Sequence, residues 1–447
     1  MKFLLTILSL ILATIIFAQK SSALWKTEIV LGNNFSFTTF LNITQKDNSF
    51  LITSPKNADK RLFGGFKSTM ARLSGKIPKG GILVKIEGKQ NSDSLHGKVI
   101  ITGSGQLNFK GTLTENRFSG NLLNDDEAIV GSLIGVQTNE SRLYYNHLYT
   151  KFVETTQNNL YSKEVLQTKE WEKFQKELKN LCDKAQDDIE LFLGFNMLSS
   201  ELPFSHYNLM IQKDENGDTI EKENKKATVI FEEKSKNTAY LKIKNFSTSQ
   251  EELAIIFPRI VENKNYENLI IDLRDNGGGG IEAAFEFARH IMDDTVEVGY
   301  FVTNRLNYSE FNIQDFETLP VSPSKTTDDF IEELKTGRGA KLVFQKPDNS
   351  VFSGKLYILT NSNTASTCES IVYILKNTRR ATIVGERTAG AMLSAAPFEI
   401  SGKYKLFLPL ADFYTYDGVR LDQVGVLPDI EIPSEQALGK VLDLIQK

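Results

Sequence analysis

From Ala227 to the C-terminus, short apolar segments alternate with segments of helical periodicity. The sequence predicts strands in ATVIFEE, TAYLKIKNF, NLIIDLR, GKLYILTN and RRATIVGERT, and helices in EELAIIFPRIVEN, IEAAFEFARHIM and STCESIVYILKN. This alternation is typical of a mixed α/β core. The polar stretch 304–349 breaks the pattern and is predicted to be an irregular excursion or lid.

The first part of the chain has a different period. Between Trp25 and about Gln137, six segments alternate apolar and polar residues, and Gly, Asn and Asp separate them: FSFTTFLNI, SFLITS, GGILVKIEG, HGKVIITG, GQLNFKGTL and NRFSGNLL. We therefore expect an all-β domain over 24–137. It carries no evident set of reactive side chains, so a binding role or a spacer role are both open.

The middle of the chain is predicted to be helical. Apolar residues recur at three- and four-residue spacing between about Ser141 and Met197, with charges between them. A helical segment is expected over 138–210, a charged linker over 211–227 and an α/β core over 228–447. The predicted fold class is thus multidomain α+β, with an all-β domain, a helical segment and a mixed α/β core.

The N-terminus has the pattern of a secretory signal peptide. Met1-Lys2 precedes an apolar run that ends at Ala18, and small residues follow as far as Ala23. We expect a signal peptide over 1–23, cleaved after one of those alanines, and an exported protein that is periplasmic or secreted. An uncleaved anchor is the alternative, and it is the one route to membrane association that the sequence offers.

Composition excludes several classes of function. The chain of 447 residues has 52 basic and 56 acidic side chains, and it has no Lys/Arg-rich run, which argues against nucleic-acid binding. Its two cysteines exclude a disulfide scaffold and a cysteine-rich zinc module. Its four histidines never have HxxxH spacing, so we expect no histidine-rich metal site.

Three segments carry candidate chemistry, and each has a structural alternative. Ser366 lies between a predicted strand and a predicted helix, where the N–H of Thr367 could stabilise an oxyanion, but Ser366 and Glu369 also fit a capping box. The glycine run after IIDLRDN could present N–H groups to a carbonyl oxygen, or it could be a flexible turn. Ser205 adjoins His206, a possible base for a serine nucleophile, although a single histidine is more often structural.

Five segments occur in an order that resembles one family. They are FSHYNL at 204–209, DLRDNGGGG at 272–280, TASTCES at 364–370, IVGERTAG at 383–390 and VGVLPDIEI at 424–432. From about Gly194 to Lys447 the chain resembles the carboxyl-terminal processing (tail-specific) serine peptidases. Within them it is most similar to the branch of the tricorn core and the interphotoreceptor retinoid-binding protein.

The resemblance implies a role for each matching residue. Ser366 matches the nucleophile, His206 the base, and Ser205 the hydroxyl that orients the base. Asp422 falls at the position of the supporting acid, where the family usually has the longer Glu.

The resemblance further implies an oxyanion hole formed by Gly277 or Gly278 with the Thr367 N–H. It implies a crotonase/ClpP-like core of ββα type, protein or peptide substrates, and neither a metal ion nor an organic cofactor.

Two family features are missing from this sequence. The other branch of the family uses a lysine 25 residues after the serine, and that position here is Ala391, while Lys376 does not match. Only about 20 residues separate Leu209 from Val229, too few for the PDZ module that many relatives carry. A non-catalytic carrier of retinoid type, or a glycan or lipid binder that acts through the β domain, is the alternative to a peptidase.

Overall fold

The structure is a computed structural model, and it describes residues 24–446 except 33–34, 63–68, 70–72, 74, 76, 213–226, 264 and 307–311. The predicted signal peptide over 1–23 lies outside the described residues, as does most of the predicted linker over 211–227.

The N-terminal part is a closed antiparallel barrel of eight strands. Each strand pairs with the next in sequence, and β1 pairs with β8 to close the barrel. The alternating pattern of the sequence is visible in the burial of β3, in which Phe50 and Ile52 are buried and Leu51 is exposed. The strands are β1 Leu24–Leu31, β2 Phe35–Lys46, β3 Ser49–Thr53, β4 Val84–Asn91, β5 Ser94–Ile101, β6 Gly105–Leu113, β7 Arg117–Leu123 and β8 Ile129–Thr138.

Side chains fill the interior of this barrel. Phe109 and Phe118 are buried there, and a Cβ atom built at Gly111 would lie 2.6 Å from the ring of Phe109. Glycine at this position therefore makes room for an aromatic ring that belongs to the core. The packing is that of a solid hydrophobic core.

Three helices follow the barrel and pack against it and against each other. The second half of the helical region predicted between about Ser141 and Met197 is divided into two helices, because Asp187 caps the second one through a hydrogen bond from the Glu190 N–H (2.8 Å). A short α1 Ala58–Leu62 lies within the barrel segment, and the three helices are α2 Asn146–Asn159, α3 Lys169–Lys184 and α4 Asp188–Ser199.

The C-terminal half contains two sheets. A six-stranded sheet has the order β10-β11-β12-β15-β16-β19, antiparallel between β10 and β11 and parallel elsewhere. A second sheet has the order β14-β13-β18-β17, and β9 also pairs with β18. The strands are β9 Asn208–Ile211, β10 Val229–Ser235, β11 Thr238–Ile243, β12 Asn268–Asp272, β13 Val296–Thr303, β14 Gly339–Phe344, β15 Lys355–Thr360, β16 Ala381–Gly385, β17 Ser394–Ser401, β18 Tyr404–Thr415 and β19 Ile430–Glu431.

Helices cover these sheets, which makes this half the mixed α/β core that the sequence predicts. One expectation is wrong: the stretch 304–349 contains two helices and β14, and the second of the helices lines the main cleft. In the helix Thr327–Thr336, Phe330 and Leu334 are buried and the polar residues are half-buried or exposed. The helices are α5 Gln250–Glu262, α6 Ile281–Ile291, α7 Ile313–Phe316, α8 Thr327–Thr336, α9 Thr367–Asn377 and α10 Ser434–Ile445.

A buried carboxylate joins the barrel, the helices and the second sheet. Asp188 accepts hydrogen bonds from the Thr38 N–H on β2 (2.6 Å), the Tyr145 hydroxyl (2.9 Å) and the Tyr404 hydroxyl on β18 (2.7 Å). Lys403 also pairs with Asp188 at 2.5 Å. Because these partners come from three parts of the chain, the Asp188 network holds those parts in one arrangement.

In the part of the chain that the structure describes, no helix has the length and apolar character needed to cross a membrane. Cys182 and Cys368 are both buried and unpaired.

Candidate active site

Two loops at the carboxyl ends of neighbouring parallel strands build the centre of the site. The loop after β12 contains the glycine run, and the loop after β15 ends at Ser366. The Ala365 N–H donates to the Asn276 carbonyl (3.0 Å), and the Asn361 side chain donates to Asp275 (2.8 Å). Neighbouring parallel strands thus bring two sequence-distant motifs side by side, as expected for an open α/β sheet.

Ser366 has a backbone conformation that is unusual for a residue other than glycine. Its φ is +56° and its ψ is −126°, at the point where the chain turns from the loop into α9. The buried Glu369 carboxylate accepts from the Ser366 N–H (3.1 Å), from the Ala391 N–H (2.7 Å) and from the Gly390 N–H (2.8 Å). The capping interaction with Glu369 therefore exists, and it anchors the strained turn that carries the serine.

Burial raises the pKa of the Glu369 carboxyl, while hydrogen bonds from Thr388 and from the backbone of Ala391, Gly390 and Ser366 oppose this shift. The Thr388 hydroxyl is one of these donors, at 2.6 Å.

The two predicted glycines differ in their surroundings. Gly278 is buried with φ +92°, and a Cβ built there would lie 2.7 Å from the Ser366 Cβ and 2.8 Å from the Ala365 carbonyl oxygen. Its N–H donates to the side chain of the buried Asn276 (2.9 Å). Gly277 is exposed, and a Cβ there would meet no atom within 4 Å. Of the two, Gly278 serves close packing and Gly277 faces open space.

Thr367 is the first residue of α9, so its N–H has no acceptor within the helix. Its hydroxyl donates to the Gly279 carbonyl (2.6 Å), which links the start of α9 to the glycine loop. The next residue, Cys368, is buried, and burial raises the pKa of its thiol. Cys368 is therefore a packing residue in its neutral form.

A hydrogen-bonded chain connects the predicted base to the predicted acid. The Ser205 hydroxyl lies 2.7 Å from Nδ1 of His206 and donates to Oδ1 of Asp422 at 2.6 Å. Asp422 is fully buried and also accepts from the Met392 N–H (3.2 Å). Asp422 therefore reaches Ser205 directly, although it is one methylene shorter than Glu.

The position of His206 follows from the strand that comes after it. Tyr207 is buried, and its hydroxyl lies 2.7 Å from the Thr156 hydroxyl on α2. The β9 strand then pairs with β18, with Asn208 opposite Phe407. His206 itself has a positive φ of 61°. Burial lowers the pKa of its imidazole, and the charge of Asp422 opposes this shift.

A cleft of about 1040 Å³ brings most of the predicted residues together. Ser366, His206, Gly277, Gly278 and Thr367 all line it, while Ser205 and Asp422 lie behind the imidazole. Its walls combine polar and apolar side chains, and the apolar ones include Phe246, Ile281, Phe301, Phe330, Met392, Leu393, Pro397 and Phe407.

Comparison with known proteins identifies the domain that contains this cleft. Residues 237–432 match the family described as Peptidase family S41. This part of the chain is a peptidase family S41 domain. The family predicted from the five motifs is therefore confirmed. The S41 match includes Gly277, Ser366 and Asp422, whereas Ser205 and His206 lie upstream of it.

Similar proteins resemble the S41 domain rather than the whole chain. Carboxyl-terminal-processing peptidase 2, chloroplastic, of Arabidopsis thaliana is 26% identical over 199 residues, which are 44% of this chain and 32% of that protein. The C-terminal processing peptidase, chloroplastic, of Tetradesmus obliquus is 24% identical over 197 residues, 44% of this chain and 35% of that protein. The matches thus span about a third of these relatives' length.

Among solved structures, the photosystem II D1 C-terminal processing protease aligns with a TM-score of 0.40 and 14% identity. The alignment covers 67% of this chain and 94% of that chain.

Neither position at which the sequence analysis looked for a catalytic lysine provides one in the cleft. Ala391 occupies the position of the other branch's lysine, and its N–H donates to Glu369. The ammonium group of Lys376 donates to the Leu427 carbonyl (2.7 Å) and lies 3.7 Å from Asp429. Position 391 thus has no amine, and the amine of Lys376 is held away from Ser366 by Leu427 and Asp429.

Two residues near the acid were missed by the sequence analysis. Arg420 lies 3.5 Å from Oδ2 of Asp422 and donates to the buried Asp412 at 2.7 Å. Arg420 precedes Asp422 by two residues, a spacing that puts both on one face of an extended segment and could have been noticed. Asp412 offered no such signal, because its contact with Arg420 depends on the hairpin after β18.

Proposed function

We propose that this protein is a serine peptidase that hydrolyses peptide bonds in proteins or peptides, with Ser366 as nucleophile and His206 as base. The observation that supports this most strongly is the chain from Asp422 through Ser205 to Nδ1 of His206, at the edge of a cleft that also contains Ser366. A seryl hydroxyl needs such a base to become nucleophilic at neutral pH.

The hydrogen bonds of Ser205 support a neutral His206 imidazole that carries its proton on Nδ1. The single proton of the Ser205 hydroxyl is directed to Asp422, so the hydroxyl oxygen accepts from Nδ1–H of the imidazole. Nε2 then has its lone pair available and can accept a proton. Burial also favours the neutral imidazole, the form that acts as a base.

The reaction then follows the logic of acyl transfer. Nε2 of His206 takes the proton of Ser366 as the serine oxygen attacks the carbonyl carbon of the substrate. His206 next gives that proton to the departing amine, which leaves an acyl ester on Ser366. A water molecule, deprotonated by His206 in its turn, cleaves the ester and restores the serine.

The oxyanion of the tetrahedral intermediate needs two N–H donors. The Thr367 N–H at the start of α9 is one, supported by its lack of an acceptor in the helix and by the helix dipole. For the second we propose Gly277, because the Gly278 N–H is engaged by Asn276 and Gly277 faces open space. Removal of one such donor typically costs about 100- to 1000-fold in kcat.

The rest of the chain has supporting roles in this proposal. We propose that residues 1–23 are a signal peptide, that the mature protein is exported, and that the S41 core is of the crotonase/ClpP-like ββα type. The barrel, over 24–137, orients or gates substrates, the segment 138–210 carries Ser205 and His206, and 211–227 is a linker to the core at 228–447. A barrel interior filled by its own side chains favours these roles over the binding of a ligand inside the barrel.

A carrier of retinoid type is the competing proposal. A carrier has no need for an acid, a hydroxyl and an imidazole hydrogen-bonded in series, or for a serine held in a strained turn in the same cleft as the imidazole. Both features favour a peptidase over a carrier.

The experiment is hydrolysis of a mixed peptide library by the mature chain, read by mass spectrometry beside S366A, H206A and S362A. Ser362 is an exposed serine on the same loop and provides a matched control. We expect cleavage by the wild type and S362A and its loss in S366A and H206A, with folding of each variant checked by circular dichroism. Equal product patterns from all four folded proteins would overturn the proposal.

A further inference from the structure

Behind the proposed acid lies an ionic cluster that joins two elements of the core. Asp412 is on β18. After a tight turn the chain runs back antiparallel to β18, and the backbone of Arg420 pairs there with that of Tyr414. The side chain of Asp412 is 4% exposed, that of Asp422 is 0% exposed, and that of Arg420 is 31% exposed. Two buried carboxylates thus share one guanidinium group.

The guanidinium group contacts both carboxylates and the backbone between them. Nε of Arg420 donates to Oδ2 of Asp412 (2.7 Å), Nη2 lies 3.5 Å from Oδ2 of Asp422, and Nη1 donates to the Asp422 carbonyl oxygen (3.4 Å). The hydroxyl of Tyr161, which follows α2, accepts from Nη2 (3.3 Å). Arg420 is therefore held on several sides.

The contact has a consequence for the two oxygens of Asp422. Oδ1 accepts from Ser205 and from the Met392 N–H, while Oδ2 faces Arg420. A fully buried carboxylate without a cation favours its protonated form. A protonated Asp422 would donate to Ser205, whose hydroxyl would then donate to Nδ1 of His206.

That reversal would move the imidazole proton to Nε2, the nitrogen that has to accept the proton of Ser366. We propose that Arg420, anchored by Asp412, is a positioning residue that keeps Asp422 ionised and so keeps His206 in its base-competent tautomer. The proposal rests on the proposed function, since it assigns a role within the same relay.

The charged and titratable groups that face this relay come from four parts of the chain. They are Asp412 and Tyr414 on β18, Arg420 and Asp422 on the returning segment, Tyr161 after α2, and His206 before β9. Among these groups Arg420 is the one permanent cation. Its removal should therefore change the protonation of the relay.

The test compares R420Q and R420K with R380Q. Arg380 is a matched control, because its guanidinium donates to the carbonyl oxygens of Ile291, Gly354 and Phe352 and to no carboxylate. In R420Q we expect the acid limb of kcat/KM to move to higher pH, because loss of an adjacent positive charge favours protonation of the relay. R420K should restore part of this shift, and R380Q should show none.

A readout that is independent of hydrolysis separates this inference from the proposed function. In ¹⁵N-histidine-labelled protein, with the His206 signals assigned by their loss in H206Q, we expect the Nδ1–H tautomer in the wild type and the Nε2–H tautomer in R420Q at neutral pH. If R420Q fails to fold, the double variant D412N/R420Q takes its place, because it removes one buried charge together with the cation. It should show the same Nε2–H tautomer.

An unchanged tautomer in folded R420Q or D412N/R420Q overturns the role of Arg420. An unchanged pH profile in an active R420Q overturns it as well. A wild type that shows the Nδ1–H tautomer and no hydrolysis contradicts the proposed function, and the tautomer comparison still decides what Arg420 does.

Discussion

Substitution of Gly278 by alanine should displace the proposed nucleophile, Ser366, while leaving its hydroxyl group chemically unchanged. The new Cβ would lie 2.7 Å from the Ser366 Cβ, whereas carbon atoms pack at roughly 3.5–4.0 Å, so Ser366 has to move by about 1 Å. A positive φ of +92° adds about 1–2 kcal/mol for an L-residue, and overpacking adds about 1–3 kcal/mol. The free energy of unfolding should therefore fall by about 2–5 kcal/mol.

The effect on catalysis should be larger than a general loss of stability explains. A displacement of about 1 Å at a reacting atom costs on the order of 100-fold in rate. We expect kcat of G278A to fall by about that factor with KM little changed, measured on a peptide from the library at a temperature where circular dichroism shows a folded protein.

The neighbouring glycine supplies the comparison. Gly277 is not in the positive φ region, and a Cβ there meets no atom within 4 Å, so G277A should keep the local backbone and its N–H. Its methyl group would project into the cleft and should raise KM more than it lowers kcat. If folded G278A keeps kcat within about threefold of the wild type, the assignment of close packing between Gly278 and Ser366 is wrong.

Three further predictions concern protonation and buried carboxylates. E369Q should lower the free energy of unfolding by about 2–4 kcal/mol in urea titrations, because a glutamine NH₂ group would face N–H donors that now bind a carboxylate. The acid limb of kcat/KM should have its midpoint below the ordinary histidine value of 6.5, since burial lowers the pKa of His206 and activity requires the neutral ring; a midpoint above 6.5 would contradict this. Burial raises the pKa of Asp187 to about 7, above its ordinary 3.8. The stability that the protonated form provides should therefore be lost as pH rises between those values. In unfolding curves at pH 5 and pH 8, the free energy of unfolding of D187N should depend less on pH than that of the wild type.

Local periodicity was sufficient to predict most strands of the barrel. A segment such as Ser49–Thr53 alternates strictly, because one face packs inside the barrel and the other faces water. Closure of the barrel by pairing of β1 with β8 could not be predicted from the sequence, since a pairing between the two ends of the domain leaves no local pattern. The two helices at Lys169–Lys184 and Asp188–Ser199 were not separated for a different reason, namely that a cap such as Asp187 breaks a helix without breaking the apolar spacing.

The candidate site shows the same division. Ser205, His206 and Ser366 could be selected because each lies in a motif with a recognisable neighbour, and the structure brings Ser205 within hydrogen-bond distance of Asp422 across 217 residues. The distinction between Gly277 and Gly278 could not be predicted, because it depends on which N–H the Asn276 side chain accepts from.

The stretch 304–349 shows how composition can mislead. Its polar residues suggested an irregular lid, yet Thr327–Thr336 is an amphipathic helix that buries Phe330 and Leu334 and contributes acidic side chains to the cleft. Apolar residues were few in that stretch, but those present have the spacing of one helical face.

The most direct test of the account is to locate the adduct of a fluorophosphonate, a reagent that phosphonylates activated serine hydroxyls. The mature wild type and H206A would be treated at neutral pH, digested, and analysed by mass spectrometry. The account predicts one stoichiometric adduct, on Ser366, in the wild type and a loss of at least about 100-fold in labelling rate in H206A, as expected when a general base is removed. An adduct on another residue, or equal labelling of Ser366 in the two proteins, would contradict the account.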